Sequence, residues 1–226
     1  MKIGNLIDRV RRSQPEEAPK DARPEPEAEA HPSFLVVGLG NPGPEHARNR
    51  HNIGFMLADQ LAERLDVRFS RMQSRALVAD ARHGGRRVIL VKPQTYMNES
   101  GQSVAALQRF YKIPLEDMLV AFDEMDLPLG LIRIRPKGGS SGHNGMKSII
   151  RRLGGAQGFP RIRLGIGRPP GRMPPPAYLL QDFSKDDRET ILPGFLDQAS
   201  DAVLAFVTDG LDHAMNRFNG EFSGNA

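Results

Sequence analysis

From Phe34 onward, short runs rich in β-branched residues alternate with longer stretches whose apolar residues recur at helical spacing. Alternation of this kind is typical of domains in which helices cover both faces of a sheet. The runs Ala76–Ala81 and Arg87–Val91 have no helix between them, so they predict an antiparallel hairpin within a mixed sheet. The chain is therefore expected to form a single three-layer α/β domain.

The spacing of apolar residues also predicts where the individual strands and helices lie. The strands are expected at Phe34–Leu39, Ala76–Ala81, Arg87–Val91, Met118–Asp123, Leu131–Arg135 and Arg161–Ile166, and the helices at Asn52–Leu65, Glu99–Tyr111, Asn144–Leu153 and from Lys185 to about Thr208. The last helix opens with Ser184 and Asp187 in a capping-box pattern, and Pro193 is expected to split it.

The segment that precedes this region has a different composition. Residues 15–30 read PEEAPKDARPEPEAEA and contain no periodic apolar positions. Such a segment cannot bury enough apolar surface to offset the entropy that it would lose on ordering. We therefore expect residues 1–32 to form a disordered extension and residues 33–226 to form the domain.

The 226 residues include no cysteine, which excludes disulfides, cysteine-ligated zinc and a thiol nucleophile. The apolar runs are too short to span a bilayer, and the N-terminus lacks the apolar stretch of a signal peptide. A soluble protein of the reducing cytoplasm is expected. The six histidines are scattered, with only His143 as a candidate second ligand beside His51, so no metal is expected.

A glycine-rich turn follows the first predicted strand. Residues 38–43 read GLGNPG, which matches the G-x-G-x-x-G pattern of dinucleotide-binding folds. In those folds the glycines open a helix directly, whereas here Pro42 and a polar stretch through His51 delay the helix. The acidic residues that follow, Asp59 and Glu63, fall inside a helix rather than at a strand end. The hypothesis of a nucleotide-dependent oxidoreductase therefore depends on the glycines alone, and a structural turn is the simpler interpretation.

Polar side chains collect where predicted strands end and helices begin, which is the edge at which α/β sheets bind ligands. Taken singly, His51 is most simply a structural histidine, Asn98 a helix cap and Asp123 part of a solvated turn. The segment with His143 and Asn144 could likewise be a flexible loop. Together they suit hydrolysis, in which an imidazole takes a proton from water, a carboxylate orients the imidazole and amides bind the carbonyl oxygen. No serine stands in a nucleophile-elbow pattern, so direct attack by water is the simpler mechanism.

The charge distribution indicates a partner. Between Leu127 and Gln181 the chain has no Asp or Glu, although its formal net charge is only +4. The basic residues of this acid-free stretch are Arg133, Arg135, Lys137, Lys147, Arg151, Arg152, Arg161, Arg163, Arg168 and Arg172. A charge run is ordinarily a solvated face, but one this long without counter-charges creates a field suited to phosphates. Few aromatic residues interleave, which favours contacts to the backbone of a folded RNA over base stacking.

Six ordered motifs closely resemble the bacterial-type peptidyl-tRNA hydrolase family: VGLGNPG, RHNIGF, KPQTYMNESG, DEMDLPLG, GHNGMKSI and RIRLGIGRP. The resemblance runs from about Phe34 to Asn219. It implies a single α/β domain with a twisted mixed sheet, acting as a monomer without metal or cofactor. The implied reaction is hydrolysis of the ester that joins a peptide to the 3′ end of tRNA, so peptidyl-tRNA is the expected partner.

The resemblance also implies roles for individual residues, carried over motif by motif. His51 is the general base, Asp123 is its partner, and Asn41 completes the catalytic set. The residues implied to hold the peptide, the water or the acceptor end of tRNA are Asn98, Asn144, Tyr96, Met97, His143 and His46. Arg135 and Arg163 match positions that contact tRNA phosphate.

This chain departs from the family pattern at two of these positions. His46 stands where a tyrosine or similar aromatic residue is usual, and Arg135 stands where lysine is more usual, which keeps the charge but changes the donor geometry. A non-catalytic RNA-binding module on the same fold, as in the plant organelle splicing-factor relatives, is the alternative function. Retention of His51, Asp123 and the three asparagines favours the enzyme.

Overall fold

A mixed sheet of eight strands organises the described part of the chain, residues 32–221 of a computed structural model. The strands are β1 Ser33–Gly38, β2 Arg71–Gln73, β3 Ala76–His83, β4 Arg86–Pro93, β5 Met118–Glu124, β6 Leu131–Arg135, β7 Arg161–Gly165 and β8 Gly220–Glu221. Their order across the sheet is β2-β3-β4-β1-β5-β7-β6-β8. The central pairings of β4 with β1, β1 with β5 and β5 with β7 are parallel, and the outer pairings are antiparallel.

The predicted hairpin is confirmed, because β3 and β4 pair antiparallel from Ala76 opposite Pro93 to His83 opposite Arg86. The six predicted strands all form, with bounds within two residues of those expected. The sequence did not predict the two edge strands β2 and β8. They span only three and two residues, which is too few to show an alternation.

Six α-helices flank the sheet within residues 32–221: α1 Ile53–Arg64, α2 Ser100–Phe110, α3 Asn144–Arg152, α4 Pro175–Leu179, α5 Leu192–Asp209 and α6 Leu211–Phe218. The chain is helical from Lys185, as predicted, with a π-helical stretch at Asp187–Ile191 before α5. Ser184 caps this segment, since its Oγ accepts from the amide of Asp187 at 3.0 Å. Pro193 does not end the helical segment, but the change from π-helical to α-helical geometry falls at Leu192, next to it.

Alternate residues of the central strands face opposite sides of the sheet and build two cores. On one face, Val36 of β1 lies in a cluster with Leu57 of α1 and Phe206 of α5. On the other face, Leu35 lies in a cluster with Ile149 of α3 and further residues of α2. The helices therefore form two outer layers around the sheet, and the predicted α/β fold with a mixed sheet is confirmed.

No helix in the described ranges combines the length and the apolarity needed to cross a membrane. The extension expected at residues 1–32 lies outside the described residues, except for Pro32 at its end. Its disorder stays a prediction.

Candidate active site

The carboxyl ends of the parallel strands β4, β1 and β5 meet at one edge of the sheet, and the candidate site lies there. Each strand delivers a predicted side chain: Asn41 follows β1, Asn98 follows β4, and Asp123 lies near the end of β5. His51 comes from a 3₁₀ turn ahead of α1. The glycine-rich turn at residues 38–43 is followed only by a 3₁₀ turn at Pro44–His46, and α1 begins only at Ile53, so the dinucleotide pattern has no structural counterpart.

A close approach of α1 to the sheet positions His51 over the strand ends. A Cβ on Gly54 would lie 2.6 Å from the carbonyl oxygen of Ala121 in β5, so only glycine permits this packing. The amide of Phe55 also donates to the carbonyl of Leu39 at 3.2 Å. The residues that follow His51 in the RHNIGF motif therefore fix the place of the histidine.

His51 and Asp123 form a buried pair. Nδ1 of His51 lies 2.8 Å from Oδ1 of Asp123, and the two residues are only 7% and 4% exposed. Burial alone would raise the pKa of Asp123, but the imidazoles of His143 and His51 together hold that pKa below its usual range. The ionised carboxylate accepts a hydrogen bond from Nδ1, so Nε2 of His51 keeps its lone pair.

A second imidazole shares the same carboxylate oxygen. Nε2 of His143 lies 3.0 Å from Oδ1 of Asp123, and Nδ1 of His143 accepts from the amide of Met146 at 3.3 Å as the N-cap of α3. The acceptor role of Nδ1 places the proton of His143 on Nε2. Phe122 packs against this imidazole with its ring centroid 4.9 Å away. The family resemblance implied a role for His143 at the tRNA 3′ end, and the sequence contains no signal for its contact with Asp123.

Among the described residues, His51, Asp123 and His143 form a group that could hold a metal ion. One possible ligand atom from each lies within 4.8 Å of the others. A cation between them would have to displace two N–H···O hydrogen bonds to Asp123. It would also need a lone pair on Nε2 of His143, where the amide of Met146 keeps a proton. The arrangement therefore fits a hydrogen-bonded set better than a set of metal ligands.

Asn41 is fixed through both its backbone and its side chain. Its amide donates to Oδ1 of Asn52 at 2.9 Å, and Nδ2 of Asn52 donates to its carbonyl at 2.8 Å. Its own Oδ1 accepts from the amide of Met97 at 2.9 Å, which leaves Nδ2 of Asn41 to donate elsewhere. Asn52 is a site residue that the sequence analysis did not single out, and its only signal is its place in RHNIGF.

Two adjoining cavities open at this edge of the sheet. The smaller, of about 130 Å³, is lined by His51, Asp123, Glu124, Met125, Ser141, Gly142, His143, Asn144 and Leu179. The larger, of about 440 Å³, is lined by Asn41, His51, Tyr96, Met97, Asn98, Asn144, Pro176, Leu179 and Leu180. The larger cavity thus brings together Asn41 and four of the residues that the resemblance assigned to the substrate, namely Tyr96, Met97, Asn98 and Asn144. The structure adds a wall from α4, a short helix whose signal is the run of prolines at its start.

The arginines of the acid-free stretch differ in their availability. Arg133 faces Arg163 and Arg135 faces Arg161 across the β6–β7 pair, so all four project from one face of the sheet. Arg135 is exposed, whereas Arg163 is half-buried and ion-paired to Glu124. Arg161 is buried, and its guanidinium donates to backbone carbonyls. The sequence shows the positive charges, but it does not show that Arg163 is paired with the buried carboxylate of Glu124.

Two further residues have surroundings that the sequence left open. Asn98 makes no capping hydrogen bond to α2, so its exposed amide is available in the larger cavity. His46 has its Nδ1 2.9 Å from Oδ1 of Asn49, whose Nδ2 donates to Asp182 at 2.9 Å. The imidazole of His46 is therefore anchored to the protein rather than freely rotating.

A buried imidazole–carboxylate pair beside an amide-lined cavity defines a hydrolase built on a mixed α/β sheet. The family model described as Peptidyl-tRNA hydrolase matches residues 35–225. The chain belongs to the peptidyl-tRNA hydrolase family.

Individual relatives agree with this assignment. The peptidyl-tRNA hydrolase of Streptomyces coelicolor is 50% identical over 192 residues, covering 82% of this chain and 94% of the relative. That of Chloroflexus aggregans is 49% identical over 187 residues, covering 82% and 98%. The crystal structure of peptidyl-tRNA hydrolase from Acinetobacter baumannii matches with a TM-score of 0.78 at 35% identity, covering 84% of this chain and 96% of that chain.

Proposed function

We propose that this chain hydrolyses the ester bond of peptidyl-tRNA, releasing tRNA and peptide through attack by a water that His51 activates. The observation that carries this proposal is the buried pair of His51 and Asp123, which leaves Nε2 of His51 as a basic atom beside the amide-lined cavity. Membership of the family supports the same substrate.

The reaction follows from the positions of these groups. Nε2 of His51 takes a proton from water as the water oxygen attacks the ester carbonyl carbon. Negative charge then develops on the carbonyl oxygen, where Nδ2 of Asn41 is free to donate a hydrogen bond. Collapse breaks the bond to the ribose 3′ oxygen, which receives the proton from His51. Asp123 stays ionised and stabilises the imidazolium between the two transfers.

The larger cavity suits the peptide. Its described lining contains the side-chain amides of Asn98 and Asn144 and the buried Met97, but no carboxylate. A free α-ammonium group would find no counter-charge in this lining, whereas an N-acylated amino acid presents a neutral amide that the side chains can bind. The site therefore favours peptidyl-tRNA over aminoacyl-tRNA. Tyr96, 69% exposed, is available to cover the bound chain.

The tRNA body is proposed to dock along the acid-free stretch. Its exposed basic residues are Arg135, Lys137, Lys147, Arg151, Arg152, Arg168 and Arg172. Arg163 joins them only if a phosphate draws part of its guanidinium away from Glu124. His46 is proposed to contact the acceptor end, held in place by Asn49.

The state and location of the protein follow from this function. One chain contributes every side chain of the proposed site, so a monomer suffices for the reaction. Stranded peptidyl-tRNA arises at the ribosome, so we place the protein in the cytoplasm.

The test is release of free tRNA from a purified N-acetylated aminoacyl-tRNA. Wild type should turn the substrate over, and His51→Ala should lose about 10²–10⁴-fold in rate, as removal of a general base does, with unchanged affinity for tRNA. His213→Ala, at an exposed position of α6, is the matched control and should keep wild-type turnover. A protein that binds tRNA but releases none would be the RNA-binding module instead. Near wild-type turnover in His51→Ala would refute the role of His51.

A further inference from the structure

His143 joins two parts of the molecule. One ring nitrogen contacts Asp123 of the catalytic pair, and the other caps α3, which begins with Asn144 at the wall of both cavities. The side chain is only 5% exposed, so it is poorly placed to make a direct contact with tRNA.

We propose that His143 is a positioning residue for the hydrolysis of peptidyl-tRNA, sharing the carboxylate of Asp123 with His51 and so setting how strongly Asp123 holds the protonated base. The inference rests on the proposed function. It replaces a docking role for His143 with one that acts through Asp123.

The geometry gives the direction of the effect. A single oxygen, Oδ1 of Asp123, accepts hydrogen bonds from both imidazoles, at 2.8 Å from His51 and 3.0 Å from His143. The ring centroids of the histidines lie 5.1 Å apart and the rings are tilted by 54°, so the two donors reach this oxygen from different directions. Part of the negative charge of the carboxylate therefore interacts with His143 rather than with His51. Without that donor, the same charge would act on His51 alone and would stabilise its protonated, inactive form.

Other charges near the pair do not substitute for this contact. Glu124 lines the same cavity, but its carboxylate is already ion-paired to Arg163. Arg50, the neighbour of His51, has its guanidinium stacked 4.4 Å from the ring centroid of Tyr178. Within residues 32–221, the only ionisable groups that the structure places in contact with Asp123 are therefore the two imidazoles.

The same contact connects the catalytic pair to the glycine-rich segment 137–143. The amide of His143 donates to the carbonyl of Ser140 at 2.8 Å, and the buried Arg161 donates to the carbonyls of Gly138 and Gly139. Arg161 is itself fixed by the carbonyl of Gln157 at 2.9 Å. A displacement of this segment by bound tRNA would therefore move His143 relative to Asp123.

The two hydrogen bonds of His143 can be separated by substitution. Asparagine offers an acceptor near the position of Nδ1 and is a favoured N-cap, but it is too short to reach Asp123. Glutamine can place an amide donor near the position of Nε2, but it is outside the set of favoured N-caps. His143→Asn thus removes the contact with Asp123, and His143→Gln removes mainly the cap.

The experiment compares the two variants with wild type in thermal unfolding and in the pH dependence of kcat/KM on an N-acetylated aminoacyl-tRNA. In His143→Asn, the midpoint of the acidic limb should move up by about one pH unit, the shift expected for loss of one hydrogen bond to a charged group. In His143→Gln, the pH profile should stay near that of wild type while Tm falls.

A wild-type pH profile in His143→Asn would overturn the proposal, and so would an equal shift in His143→Gln. The NMR shift of the Nδ1 proton of His51 gives a readout that does not depend on turnover. It should move downfield in His143→Asn, because Asp123 then binds His51 more strongly. If the signal moves in His143→Asn but the wild-type protein releases no tRNA, the proposed function is refuted and the positioning contact remains.

Discussion

The packing of α2 on α3 leaves no room for a side chain at Gly101. A Cβ there would lie 2.2 Å from the carbonyl oxygen of Ser148, whose Oγ also accepts from the amide of Gly101 at 3.0 Å. Comfortable nonbonded contacts begin near about 3.5 Å, so Gly101→Ala would force the helices apart by about 1.3 Å. Overpacking of this kind costs about 1–3 kcal/mol. For a domain of this size Tm should fall by about 2–4 °C for each kcal/mol.

The same displacement would reach the proposed site. Met97 and Asn98 precede α2, and Asn144 begins α3, so parting these helices widens the larger cavity. Misplacement by about 1 Å can cost about 10²-fold in rate, so kcat/KM on N-acetylated aminoacyl-tRNA should fall by one to two orders of magnitude.

Gly158→Ala is the matched control, because a Cβ at that position meets nothing within 4 Å. Both variants should be followed by circular dichroism during heating and by initial rates of tRNA release. If Gly101→Ala unfolds within about 1 °C of wild type, or no lower than Gly158→Ala, the helices can adjust without cost and the packing argument is wrong.

Two further predictions concern charge. Replacing the exposed Arg135 with Ala should reduce the slope of log KM against log salt by about one, and it should not change hydrolysis of a short acylated adenosine ester. Arg82→Ala, at an exposed position of β3, is the control. An unchanged slope in Arg135→Ala would show that Arg135 does not contact tRNA phosphate. The pKa of Asp123 is lower in the folded than in the unfolded protein, so its ionised form stabilises the fold above about pH 4, and this contribution is lost as the pH falls. The difference in Tm between wild type and Asp123→Asn should therefore shrink from about pH 5 to about pH 3, and a constant difference would contradict the lowered pKa.

The fold was predictable where an element is long enough to show its period. The alternation of residues identified β3 and β4 as a hairpin, and the apolar spacing located α1 to α3 within two residues. It failed at β2, β8 and α4, which are too short to carry a period. At Pro193, the prediction treated proline as a helix breaker, whereas the helical segment continues through it and only changes from π-helical to α-helical geometry at Leu192.

The site was predictable only as a set of residues at strand ends. The sequence indicated that His51, Asp123 and the three asparagines would lie at one edge of the sheet. It could not show that His143 shares Oδ1 of Asp123, because that contact depends on how two loops meet in space. The pairing of Arg163 with Glu124 was hidden for the same reason, since the two side chains become neighbours only when β5 pairs with β7.

The central position of β1 has a consequence for how the protein folds. Val36 of β1 pairs with Leu90 on one side and Leu119 on the other, so the strand acquires its partners only after distant parts of the chain have met. Pairings between residues so far apart in sequence form slowly compared with local helices. Asn41 and Asp123 approach each other only through these pairings. On refolding from denaturant, the circular-dichroism signal of the helices should therefore return before hydrolysis does. The rate at which activity recovers would then report how fast the central parallel strands pair.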